Sequence, residues 1–149
     1  MIRKAVKADA IYIAEMAAVM WESHSLDELA GEFETVLEDE KSAVYIYCIH
    51  NTPVGFAQCG LRHDYVEGTG SSPVGYLEGI FLRDEYRTKG YGRELLAACE
   101  KWAEEKGCSE FASDCEMDND VSFQFHMNLG FIEANRIICF TKRIGGGGM

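Results

Sequence analysis

Apolar positions change spacing several times along this chain, and each change marks an expected element. Ile2 to Val6 reads as a strand. Ile13, Met16, Ala17 and Met20 then fall at i, i+3, i+4 and i+7, the apolar face of a helix, with Asp9 placed to cap it. Residues 21–25 break the pattern as a loop, and a second helix runs from about Leu26 to Leu37, with Leu29, Phe33 and Leu37 on one side. Val44 to Ile49 alternates and is rich in β-branched and aromatic residues. A turn at His50-Asn51-Thr52 returns the chain as a strand from Val54 to Leu61. Residues 64–73 form the longest polar, glycine-rich loop, and a strand follows from Tyr76 to Leu82. The next helix, ending near Lys106, turns Leu95, Leu96, Cys99, Trp102 and Ala103 inward, and Gly107 stands where a C-cap glycine belongs. Glu110 to Asp114 reads as a short strand, Asn119 or Asp118 caps a helix ending near Leu129, and Phe131 to Arg143 supplies one or two final strands.

The order β-α-α-β-β-β-α-β-α-β(-β) is that of an α/β (α+β mixed) domain. No internal repeat or boundary interrupts residues 1–144, so one domain is expected, with a flexible glycine tail at 145–149 set aside as an appendage. The hydrophobic fraction of 47% and only two prolines suit a folded globule. No apolar stretch approaches the ~20 residues that span a bilayer, and MIRKAVKADA lacks the apolar region of a signal peptide. A cytoplasmic protein away from membranes is expected.

Charge narrows the partners. Asp and Glu number 25 against 14 Lys and Arg, a net charge of −11. Nucleic acid demands a basic face and is disfavoured, whereas a cationic ligand would be drawn to an acidic cleft. The acid-rich stretch 26–40 reads first as a solvated helix face. Six cysteines show no C-x-x-C and no nearby His pair at zinc spacing, so reduced, core-packing thiols and no metal are expected.

The densest chemical signal follows the strand that ends at Leu82. Arg87-Thr88-Lys89-Gly90-Tyr91-Gly92-Arg93 is a glycine-bearing basic loop running straight into a helix. Backbone N–H groups of such a loop, aided by the helix dipole, can grip one anion, and glycines let the main chain come close. Neither G-x-x-x-x-G-K-[ST] nor G-x-G-x-x-G occurs, so the nucleotide P-loop and the dinucleotide fingerprint are excluded. A basic turn with capping glycines is the bland alternative to a diphosphate cradle.

R-x-x-G-x-G between a strand, LEGIFL, and a helix resembles the acetyl-CoA pyrophosphate loop of the GNAT N-acetyltransferase superfamily. I-R-x-A with Asp9 and the late Asn128-Leu129-Gly130-Phe131 add to the likeness. The resemblance implies the GNAT fold, a mixed, mostly antiparallel sheet flanked by helices, with acetyl-CoA as cosubstrate. Its contacts would come from Arg87, Thr88, Lys89, Gly90, Tyr91, Gly92 and Arg93, from Asn119 on the pantetheine amide (or as a helix cap), and from Ile80, Phe81 and Leu82. Amides near Ile80 to Leu82 could polarise the thioester carbonyl, an effect of roughly 3 kcal/mol per donor.

Acyl transfer to an amine also needs proton handling. Glu78, an acid within an apolar strand, is the candidate base, or else half of a structural ion pair. Asp114 would face the same cleft if its strand runs parallel to that of Glu78 and splays from it. Where the family often places a tyrosine to protonate the leaving thiolate, this chain has His126, which reads equally as an acid or as a satisfied core histidine.

The string R-H-D-Y-V, then S-S-P-V and L-E-G-I-F, narrows the likeness to aminoglycoside 6′-N-acetyltransferases. That resemblance implies acetylation of a 6′-amine, antibiotic resistance, a homodimer, and drug contacts at Trp21, His24, Tyr65, Glu78, Asp114 and Asn135. Asn135 stands where the family has an acid. A polyamine or other small-amine acetyltransferase, or a non-catalytic acyl-CoA-binding module, are the alternatives.

Overall fold

A mixed, mostly antiparallel sheet of five strands in the order β1-β2-β3-β4-β5 organises the first part of the chain. The computed structural model describes residues 1–22 and 24–145. They fall into two units, Met1–Asp114 and a second beginning at Cys115. Residues 146–149 of the expected tail lie outside the described residues.

The first unit holds β1 (Ile2–Lys4), α1 (Ala10–Met20), α2 (Leu26–Glu38), β2 (Ser42–Ile49), β3 (Thr52–Arg62), β4 (Val74–Leu82), α3 (Tyr91–Glu105) and β5 (Phe111–Ala112). β1 through β4 pair antiparallel, and β4 pairs β5 in parallel. Strand alternation splits the core into two layers. Val44, Ile46, Cys48, Phe56 and Phe81 cluster with Ile13, Met16, Leu29 and Phe33 of α1 and α2. The opposite face receives α3: Tyr47 stacks on Tyr91, and Cys59 meets Cys99, whose thiol that contact and burial push up. With both faces covered, β2 and β3 are buried almost continuously.

Local chemistry explains the helix ends. The Ser25 side chain accepts from the Glu28 N–H and caps α2. Gly107, at φ 95°, closes α3, with its N–H donating to Glu104 and that of Cys108 to Ala103. This double bond pattern requires a left-handed residue, which favours glycine. Asp9 departs from expectation. It caps no amide of α1; its carboxylate instead accepts from the Val6 N–H at 2.8 Å, which opens the 3-10 turn at Lys7–Asp9, and from both Arg3 terminal nitrogens at 2.8 Å. The charged arginine fork makes the stronger bonds and holds the carboxylate away from the first turn of α1.

Two further expectations need correction. The strand expected at 110–114 is confined to Phe111–Ala112, so Asp114 lies past its end. The final strands expected within 131–143 do not form among the described residues; after α4 (Asp120–Asn128) the chain runs irregularly to 145. Its apolar residues stay exposed, with Ile132 at 89% and Phe140 at 87%. A run of β-branched and aromatic residues forecasts an extended segment, but a strand also needs a partner's ladder.

Candidate active site

The two acids of interest gather where β4 leaves the regular sheet. Gln58 pairs with Gly79 and Cys59 with Leu77, so Glu78 is an extra residue bulged out of β4. The bulge breaks the two-residue alternation. Tyr76, opposite Gly60, and Gly79, opposite Gln58, therefore share the face that carries α1 and α2, and the Glu78 carboxylate lies over Gly60 on that face. The Trp21 ring, just past α1, comes to rest against Gly79: a Cβ there would sit 3.4 Å from it.

Around Glu78 the polar groups form one network. Arg62, ending β3, donates from Nε to Glu78 Oε2 at 3.1 Å and from one terminal nitrogen to Oε1 and Oε2 at 2.9 and 3.0 Å. Its guanidinium also lies over the Tyr76 ring, 3.9 Å from the centroid. The Tyr76 hydroxyl donates to Asp114. Burial, with the Asp114 carboxylate adding to it, pushes the Tyr76 phenol up, so it remains a donor. The Arg62 guanidinium is in turn held more firmly charged by Glu78. Sequence reasoning missed Arg62 and Tyr76 as site residues. The alternation signal was present, since Gly60 and Arg62 share one face of β3 and Tyr76 lies opposite Gly60, but the register that joins them is set by the hairpin.

Tyr65 is 75% exposed on the loop between β3 and β4. Glu110 pins that loop, accepting from the Ser71 hydroxyl and from the Gly70 N–H at 3.0 Å. These bonds hold the Glu110 carboxyl below its usual range. His24 is exposed between α1 and α2.

Beyond Tyr76 the β4–β5 ladder stops, although β4 runs on through Ile80, Phe81 and Leu82. The backbone on that side can accept an extended, amide-bearing chain as a strand edge does. β4 then leads into the glycine loop. Arg87 ties the loop to the strand, its Nε donating to the Leu82 carbonyl at 3.0 Å, with Asp84 at 3.4 Å. Thr88 takes a left-handed φ of 63° and Gly90 one of 86°. Gly90 is the N-cap of α3 and offers no side-chain oxygen to the first-turn amides, which suits them to an outside anion. Lys89 and Arg93 are exposed beside it, and Gly92 is buried. The Tyr47–Tyr91 stack, at 4.3 Å, and a 2.9 Å bond from the Tyr47 hydroxyl to Glu94 anchor this turn to β2.

The second unit holds the remaining candidates. The Asn119 carboxamide oxygen caps α4, accepting from the Ser122 N–H at 3.0 Å, so its Nδ2 is the end suited to a ligand. His126 Nδ1 lies 2.7 Å from the Ser122 carbonyl, a contact that assigns its proton to Nδ1, and the ring packs edgewise on Phe131. Asn135 is exposed and accepts from the Arg136 N–H at 2.8 Å. Among the described residues, no group of three or more His, Cys, Asp or Glu could hold a metal ion.

Comparison with known proteins places the chain among relatives. The acetyltransferase (GNAT) family matches residues 9–131. An aminoglycoside N(6′)-acetyltransferase type 1 of Salmonella typhimurium is 40% identical over 124 residues, covering 83% of this chain and 86% of the relative. Its counterpart in Stenotrophomonas maltophilia is 39% identical over 140 residues, covering 93% and 90%. The solved structure of AAC(6′)-Iy with a CoA-S-monomethyl-acetylneamine bisubstrate analogue superposes with a TM-score of 0.92 at 36% identity, covering 97% of this chain and 98% of the other.

Proposed function

The chain belongs to the acetyltransferase (GNAT) family, and we propose that it transfers an acetyl group from acetyl-CoA to the 6′-amino group of aminoglycoside antibiotics, conferring resistance. One observation carries the reading: two carboxylates, Glu78 and Asp114, are linked through Arg62 and Tyr76 at the point where β4 parts from β5. A cationic amine could meet them there beside an edge suited to a pantetheine arm.

Each residue then has a task. The first-turn amides of α3 and the basic residues 87, 89 and 93 hold the diphosphate, and the β4 edge orients the acyl arm. Acetyl-CoA supplies the activated acyl carbon. Trp21 and Tyr65 offer flat surfaces to sugar rings, and His24 offers a polar contact. Glu78 and Asp114 pair with ammonium groups. An ammonium has no lone pair, so its proton must pass to a base, and Glu78 is the residue suited to take it. Nitrogen then bonds to the acyl carbon as the C–S bond breaks; the new amide nitrogen sheds its extra proton, and the departing sulfur takes one up. Within the second unit, His126 keeps its Nδ1 on the Ser122 carbonyl.

The test is an acceptor panel with acetyl-CoA, including kanamycin- and tobramycin-like drugs and polyamines, read by thiol release. Mass spectrometry should locate the acetyl group on the 6′-nitrogen. No product from the drugs at millimolar concentration overturns the reading.

We further propose a homodimer in the cytoplasm. The apolar side chains of Ile132, Ile137, Ile138, Phe140 and Ile144 are exposed in the single chain, as suits a surface that a second copy covers. A monomeric mass by light scattering would count against it.

A further inference from the structure

We propose that Arg62 is a positioning residue for the transfer: its guanidinium fixes the Glu78 carboxylate and, through the Tyr76 ring, couples it to Asp114, so both acids face the incoming ammonium as one set. This rests on the acyl-transfer reading above. Glu78 sits on a bulge, outside the regular pairing of β4. Its side chain has several rotatable bonds and ordinarily samples many rotamers. Arg62 removes that freedom by contacting both carboxylate oxygens while stacking on Tyr76. The guanidinium is itself held by the ring, and the ring by its hydroxyl bond to Asp114.

Valence limits what the carboxylate can still do. A carboxylate has about four acceptor sites. Oε2 accepts from two Arg62 nitrogens and Oε1 from one, so Oε1 keeps the greater capacity for a further donor. That atom is where the substrate ammonium should dock. Arg62 cannot give up its proton at working pH, so it orients the base without joining the proton transfer. With Arg62 positive and Glu78 and Asp114 negative, the set retains one net negative charge for the amine.

Lysine would keep the charge but lose the planar fork and the stack. The test is therefore steady-state kinetics of R62Q, R62K, E78Q and R62Q/E78Q with a kanamycin-like acceptor, alongside calorimetry of CoA binding. We expect R62Q and R62K each to lose ~10-fold or more in kcat/KM for the drug, with CoA affinity unchanged. In the E78Q background, R62Q should cost less than ~2-fold more, because Arg62 acts through Glu78. A loss that adds fully to that of E78Q, or restoration by R62K, overturns the proposal. If R62Q fails to fold, R62K decides alone: wild-type turnover rejects the proposal and a ~10-fold loss supports it. An inactive wild-type protein overturns the acyl-transfer reading and this inference with it. An active wild type with an indifferent R62Q overturns this inference only.

Discussion

Glu78 concentrates the chemistry in one side chain. Its substitution by glutamine preserves shape and most hydrogen bonding while removing the basic oxygen. We predict that Glu78→Gln lowers kcat by about 100-fold or more while CoA affinity by calorimetry stays at the wild-type value; equal losses in both would remove Glu78 from the proton path. Asp9 governs a different property. Its side chain is 8% exposed, and the Arg3 fork holds its carboxyl below the ordinary 3.8. A depressed folded-state pKa contributes stability that is complete above the unfolded value and is lost as pH falls through the folded one. Arg3→Gln should therefore lower stability at pH 7 by about 1–2 kcal/mol, discounted for the half-exposed arginine. The gap to wild type should narrow as pH falls below the ordinary 3.8 and close once Asp9 is protonated in both folded proteins. Thermal unfolding from pH 2 to 7 measures it, and a gap independent of pH would refute the pairing. Asp9 also shows where local reading failed: its position beside a helix suggested a cap, but Arg3 arrives from the neighbouring strand.

Close approach of secondary structures sets tighter limits. A Cβ on Gly75 would lie 2.6 Å from Ala103 Cβ on α3 and 2.6 Å from the Phe111 ring on β5. Neither neighbour can retreat by rotating a flexible side chain. Gly75→Ala should push α3 or β5 away from β4 and destabilise the fold by about 1–3 kcal/mol, visible as a lower Tm; an unchanged Tm would show that the contact yields easily. The helices were readable from spacing because each buries one stripe. All five residues expected inward on α3 (Leu95, Leu96, Cys99, Trp102 and Ala103) are buried. The strand beyond α4 was misread for the opposite reason: Ile132, Ile137, Ile138 and Phe140 have strand-like character, but character does not supply a hydrogen-bonding neighbour.

The whole molecule carries a net charge of −11, which attracts polycationic drugs and repels an anionic coenzyme. We predict that kcat/KM for the aminoglycoside falls several-fold between low salt and about 0.5 M NaCl, while that for acetyl-CoA is flat or rises. Matching slopes for both substrates would exclude steering by the global field. Order and type of most elements, the glycine loop and the family likeness were legible along the chain, because hydrophobic period, turn chemistry and loop composition are local properties. The bulge at Glu78, the fork from Arg62, the Tyr76–Asp114 bond and the seat of Trp21 on Gly79 were not. They depend on the register between β3 and β4 and on where β5 stops, which no run of neighbouring residues encodes. Folding alone brings residues 21, 62, 76, 78 and 114 into their contacts, and with them the charge geometry on which the proposed chemistry depends.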